Sequence, residues 1–130
     1  MADASNTLHE STEELSEQTK ELHRALVSLQ EELEAVDWYQ QRAEACSDSA
    51  LREILKHNMR EEIEHASMLL EWLRRRNGDF ERTLGTYLYA EGSITEVEEQ
   101  VASKSELQPA EAETAARRSG ESFTIGKLKG

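Results

Sequence analysis

Glu61-Glu62-Ile63-Glu64-His65 stands in the middle of a long stretch free of glycine and proline. Glu62 and His65 are three residues apart, which on an α-helix puts both side chains on one face. Around them Leu51, Ile54, Leu55, Met59, Ala66, Leu69 and Leu73 recur at three- and four-residue steps, the spacing of an apolar helical stripe. Glu62 and His65 fall on that stripe, between Met59 and Leu69. A carboxylate seated there without a compensating partner is strongly destabilising. Glu-x-x-His on an inward-facing helix is also how helical bundles bring a carboxylate and an imidazole to a shared metal.

Upstream, Leu8, Leu15, Leu22, Leu29 and Val36 repeat every seven residues, with Leu26 and Leu33 between them, which predicts a coiled-coil-like seam. Thr7-Leu8-His9-Glu10 and Ser11-Thr12-Glu13-Glu14 both have capping-box spacing, so the first helix is expected to begin near one of them. Continued to about Cys46, it would be roughly 60 Å long. Ser47-Asp48-Ser49 supplies cap chemistry for a second helix. Arg74, Arg75 and Arg76 suit its C-terminal dipole, and Asn77-Gly78 suits its stop. Asp79 is placed to cap a short third helix carrying Phe80, Leu84, Tyr87 and Leu88 and ended by Gly92. Thr95-Glu96-Val97-Glu98 could start one further turn or two. Beyond Val101 the chain is rich in Ser, Glu and Ala, which reads as a solvated linker. From Ser122 to the end it turns apolar and basic.

The expected organisation is therefore a disordered N-terminus over residues 1–6, a helical hairpin domain over 7–92, a flexible linker over 93–121 and a distinct terminal peptide over 122–130. The fold class is all-α: two long antiparallel helices plus a short C-terminal helix. A hairpin has one internal seam, so two such helices cannot bury both their faces alone. Pairing with a second copy into a four-helix bundle is the simplest remedy.

Composition agrees. Of 130 residues 32% are charged, and 15 Lys+Arg against 27 Asp+Glu leave a net charge of −12, which argues against a nucleic-acid partner and favours cations. Gly and Pro are scarce, at six and one, as a helical chain requires. No apolar run approaches the roughly 20 residues that cross a bilayer, so no membrane role is expected. Met1, Ala2, Asp3, Ala4, Ser5 and Asn6 carry neither the basic region nor the apolar core of a secretory signal. Cys46, the single cysteine, excludes an internal disulfide, is compatible with a reducing cytosol, and reads as a small residue near a helix end.

Glu32 is the second anomaly. It lies three residues after Leu29 and four before Val36, on the first helix's seam. A ferritin-like di-iron centre takes one Glu from each of two helices and one Glu-x-x-His from each of two others. This chain offers one of each, Glu32 and Glu62 to His65, which is half the set. A two-fold axis through the site would supply the rest. Carboxylate and imidazole suit iron, manganese or zinc. Glu62 bridging two irons, with Glu32 and His65 as terminal ligands, would let Fe(II) pass electrons to dioxygen. On spacing alone a second reading stays open, in which both glutamates edge the seam and reach solvent while His65 is an ordinary core histidine. Glu31, Glu34, Glu61 and Glu64 flank the pattern and read either as cation guides or as solvated helix faces. His57, eight residues before His65, is either a group supporting a ligand or a surface histidine. Trp38, Tyr39 and Trp72 read as packing residues. Tyr39, seven residues after Glu32, is also placed for a hydrogen bond into a metal site.

Glu31-Glu32-Leu33-Glu34-Ala35-Val36-Asp37-Trp38-Tyr39, together with Glu62 to His65 and Glu71-Trp72-Leu73-Arg74-Arg75, resembles the encapsulated ferritins, over residues 8–92 and again in the tail. The resemblance implies a ferroxidase whose di-iron centre, two Fe(II)/Fe(III) per interface, forms between two subunits. It implies an open ring of dimers, a ring-shaped decamer. Carried over by position, Glu32, Glu62 and His65 are the ligands and Tyr39 lies beside the centre. Glu31 and Glu34 are then the carboxylates through which iron and other divalent cations come in, and Trp38 is similar to a tryptophan near that place. It further implies residence inside a cytoplasmic encapsulin nanocompartment that stores the oxidised iron. Phe123-Thr124-Ile125-Gly126-Lys127-Leu128-Lys129 resembles the peptide that docks such cargo on the shell's inner wall, with Phe123, Ile125 and Leu128 as apolar anchors. Many family tails carry an aliphatic residue where Phe123 stands. The alternatives are a metal-binding protein without turnover, or a structural helical adaptor recruited by its tail.

Overall fold

A computed structural model describes residues 7–107, and all its regular structure is helical. The expectations for residues 1–6 and for the tail anchors Phe123, Ile125 and Leu128 lie outside the described residues. After a 3-10 turn at Thr12–Glu14 come α1 (Glu17–Ala45), α2 (Ser49–Arg76), α3 (Gly78–Tyr87) and α4 (Ile94–Leu107). The chain divides into two units, one ending at Thr83 and the other starting at Leu84.

α1 begins later than the capping boxes predict. Ser11 heads only the 3-10 turn, and Leu15 is extended. The cap is Ser16, whose hydroxyl oxygen accepts the Thr19 backbone N–H at 3.1 Å. The 29 residues of α1 therefore span about 44 Å instead of 60. At its far end the Cys46 N–H reaches the Ala43 carbonyl at 3.3 Å. Asp48 then caps α2 by accepting the Leu51 N–H at 2.8 Å. The guanidinium of Arg52 reaches back to the Cys46 carbonyl, Nε at 3.0 Å with Nη2 on the same oxygen. That bond ties the start of α2 to the end of α1 across a three-residue turn.

The helices run antiparallel along each other: Cys46 meets Arg52, Glu32 meets His65, and Leu22 lines one cavity with Trp72. Their inner seams are regular seven-residue repeats. α1 contributes Leu22, Ala25, Leu29, Glu32, Val36, Tyr39 and Ala43, and α2 contributes Arg52, Leu55, Met59, Glu62, Ala66, Leu69 and Leu73, none of them exposed. Leu73 is fully buried, and among the described residues Ala25, Ala43 and Ala66 are the others buried. The small alanines let the two backbones approach closely. Here the structure corrects the seam drawn from leucines. Ala25 lies inside where Leu26 is expected, and Leu33 is 54% exposed. The apolar stripe of α2 likewise divides: Leu55, Met59, Ala66, Leu69 and Leu73 face α1, whereas Leu51 and Ile54 stay about half exposed.

Asn77 serves two helices. Its N–H closes α2 on the Leu73 carbonyl at 3.0 Å, and its side-chain oxygen accepts the N–H groups of Asp79 and Phe80 at 3.0 Å each. Asn77 is thus the cap of α3 in place of the expected Asp79, which instead pairs with Arg82 at 2.8 Å. Just ahead, Glu71 accepts from Arg74 at 2.6 and 2.8 Å and from Arg75 at 2.7 Å. These bonds hold its carboxyl at about 2, far below the usual range.

In the second unit α3 ends at Tyr87, Tyr89 turns the chain with a φ of 61°, and Gly92 follows with a φ of 85°. α4 then runs 14 residues, so 94–107 is helical where the composition predicts linker. Ile94, Val97 and Val101 form a short stripe that the surrounding serines and glutamates mask.

Leu73→Ala is expected to cost about 2–5 kcal/mol, the range for a buried leucine truncation, read by urea denaturation. Glu71 gives a pH test. Its folded pKa lies below the unfolded value of 4.5, so its contribution is present above pH 4.5 and lost as pH falls toward 2. Over that window the Tm of the parent is expected to fall more steeply than that of Glu71→Gln, which has no carboxylate to titrate.

Candidate metal centre

Glu32 and Glu62 occupy the middle of the two inner seams, and the antiparallel register sets them opposite each other. His65, one turn beyond Glu62, turns toward the rim of the seam. Its Nδ1 lies 3.5 Å from Glu32 Oε2 and 3.4 Å from Glu62 Oε2. One donor atom from each of the three falls within 4.8 Å of the others. The side chains of Glu32 and Glu62 are 25% and 23% exposed and that of His65 43%, so the group is sheltered by the hairpin yet reachable from solvent.

Electrostatics bind the three into one unit. A hydrogen bond to Glu62 raises the carboxyl of Glu32 above its usual range, and burial adds to the rise. The same bond holds Glu62 down. The two carboxyls thus titrate as a pair, Glu32 held up and Glu62 held down. Burial pulls His65 down, but the two carboxylates outweigh it and its pKa is raised. Two oxygen donors and one nitrogen donor gathered within 4.8 Å fit a divalent cation.

The structure thus assembles Glu32, Glu62 and His65 from both helices of one chain, the group singled out by spacing. It does not bring Glu31 and Glu34 into that group; Glu31 is exposed and Glu34 half-buried on the same helix. Tyr39 shares the inner seam with Glu32 but stands two turns, about 10 Å, further along α1. Its ring packs on the Arg42 guanidinium at 5.5 Å, and the half-exposed Trp38 lies 6.0 Å from the same group. The spacing reading passes over Arg42, although three- and four-residue steps from Tyr39 and Trp38 signal it. His57 pairs with Glu61 at 3.7 Å on an exposed face. Among the described residues no helix is long and apolar enough to cross a membrane.

Residues 7–91 match the EncFtn-like family. An encapsulated ferritin-like protein of Rhodospirillum rubrum is 49% identical over an aligned length of 131 residues, covering all of this chain and 93% of that protein. A ferritin-like protein of Thermotoga maritima is 49% identical over 98 residues, 75% of this chain and 86% of its own length. A crystal structure of a protein from Nitrosomonas europaea superposes with a TM-score of 0.64 at 53% identity, covering 67% of this chain and 96% of that one.

Proposed function

The chain belongs to the EncFtn-like family, and from that premise we propose that it is a ferroxidase, oxidising Fe(II) to Fe(III) with dioxygen at a centre shared by two subunits. The observation that carries this reading is that Glu32, Glu62 and His65 of one hairpin amount to half of a di-iron donor set. A second copy, related by a two-fold axis through the site, supplies the other half and completes a four-helix bundle. The exposed apolar side chains of the hairpin, among them Leu33, Ile54 and Met68, support such a partner.

Iron is here the substrate. Glu62 bridges the two ions, and Glu32 and His65 each hold one from the outside. The carboxylates of Glu32 and Glu62 balance the metal charge. Two ferrous ions held side by side supply the electrons that reduce dioxygen. Tyr39 lies beside this centre in the assembled protein. Glu31 and Glu34, with the acidic charge of the chain, gather divalent cations for it. The dimers close into a ring-shaped decamer.

The family and the name of the Rhodospirillum rubrum relative support a role as cargo of an encapsulin shell, in the cytoplasm and inside the shell's lumen. Residues 7–92 act as the catalytic hairpin domain and 93–121 as the connection. Residues 122–130 act as the docking peptide, with Phe123, Ile125 and Leu128 as its apolar anchors.

Fe(II) added aerobically to the purified protein tests the chemistry, followed by the near-ultraviolet absorbance of Fe(III). Glu32→Ala, Glu62→Ala and His65→Ala are each expected to reduce oxidation to the protein-free rate. Metal binding without oxidation in the parent would make the protein a buffer instead. A deletion of residues 123–130 separates the second role: oxidation persists while co-purification with the shell is lost.

A further inference from the structure

A cavity lies at the end of the hairpin away from its turn, where the first turns of α1 meet the last turn of α2. Its volume is about 390 Å³, within the range of small-molecule sites. Leu22 and the half-buried Trp72 give it an apolar wall, and Arg76, Asn77 and Gln18 stand around them. Glu17 and Glu21 also reach the cavity, but each is paired on its own helix, with Lys20 and Arg24 respectively. The three arginines that end α2 divide in the same way. Arg74 and Arg75 are held by Glu71. Arg76 meets no carboxylate among the described residues, and its guanidinium lies 5.2 Å from the centre of the Trp72 ring. The Trp72 indole N–H likewise has no hydrogen-bond partner among them. Asn77 uses its side-chain oxygen to cap α3, which leaves its amide nitrogen to donate. The cavity thus sets donors and one uncompensated positive charge beside an apolar wall, in a chain whose net charge is −12.

We propose that this cavity binds a small aromatic carboxylate, its rings against Leu22 and Trp72 and its carboxylate on the guanidinium of Arg76. A flat indole favours a flat partner. A guanidinium laid on a ring keeps its N–H fork for a planar anion. Charge selects among anions. A phosphate brings up to two negative charges close to Glu17 and Glu21 with one cation to balance them, whereas a carboxylate brings one.

Naphthoate is the probe, added to the full-length protein labelled with fluorotryptophan. The chain has two tryptophans, so the fluorine spectrum holds two lines, which Trp38→Phe assigns. The Trp72 line is expected to shift to a saturable limit while the Trp38 line stays in place. The methyl ester of naphthoate has the same rings without the charge, and its affinity is expected to be lower by about tenfold or more. Arg76→Gln is expected to weaken binding of the acid by about the same factor. Arg75→Gln removes an equal charge one residue away and is expected to leave binding within about twofold. The proposal falls if the Trp72 line does not move, if the ester binds as tightly as the acid, or if Arg75→Gln costs as much as Arg76→Gln. The ester comparison is made on the parent protein, so it decides the matter whatever either substitution does to the fold.

Discussion

Two carboxylates at the midpoint of a packed helical seam are the constraint on which this molecule turns. Apart from Arg52 at the turn, the rest of the contact of α1 with α2 follows ordinary rules, with apolar and aromatic residues at alternating three- and four-residue steps. At Glu32 and Glu62 those rules are broken on both helices at the same level. The protein copes by setting His65 against both, its Nδ1 3.5 Å from Glu32 and 3.4 Å from Glu62. Apolar residues at those positions would make a more stable hairpin, since a paired but sheltered charge rarely repays its desolvation. The seam has kept charges where packing alone would exclude them, which is the pattern expected of a site paid for by the rest of the fold.

Much of the fold was legible because hydrophobic periodicity and helix stops are local properties of the chain. The all-helical class, the two long helices and the break at Ser47 to Ser49 follow from such signals. Seam register was harder. From Leu22, Leu29 and Val36 a seven-residue repeat is completed either by Ala25 and Glu32 or by Leu26 and Leu33, and hydrophobicity favours the leucines. Close backbone approach favours the alanine, and only the packed structure decides between the two. Cap positions were misplaced for a related reason. Ser11 and Asp79 have the right chemistry, but so do Ser16 and Asn77, and the competition is settled by which side chain the preceding backbone aims at a free N–H. The sequence offers only a further turn or two from Thr95 where α4 runs 14 residues, because a three-residue stripe is faint against a polar background.

The site was more legible than the seam that carries it. Glu62 and His65 are coupled by helical spacing alone, and Glu32 declares itself as a charge among apolar neighbours. Their convergence needs only the antiparallel register of one hairpin. Residues assigned by resemblance depend on assembly, and a single chain has no second subunit against which Glu31, Glu34 or Tyr39 can be placed. Tyr39 illustrates the difference: within the protomer its ring contact is with Arg42, two turns from the ligands.

The clamp of Arg52 on the Cys46 carbonyl gives the short turn the role of a gauge block. Chain length between residues 32 and 62, fixed at one end by a guanidinium, decides that these two side chains arrive at the same height. A single residue added at Ser47 would swing α2 by about 100° and carry Glu62 off the axis while leaving every ligand intact. Dimension, held by a residue that never touches the ion, is thus as much a requirement for this centre as the identity of its donors.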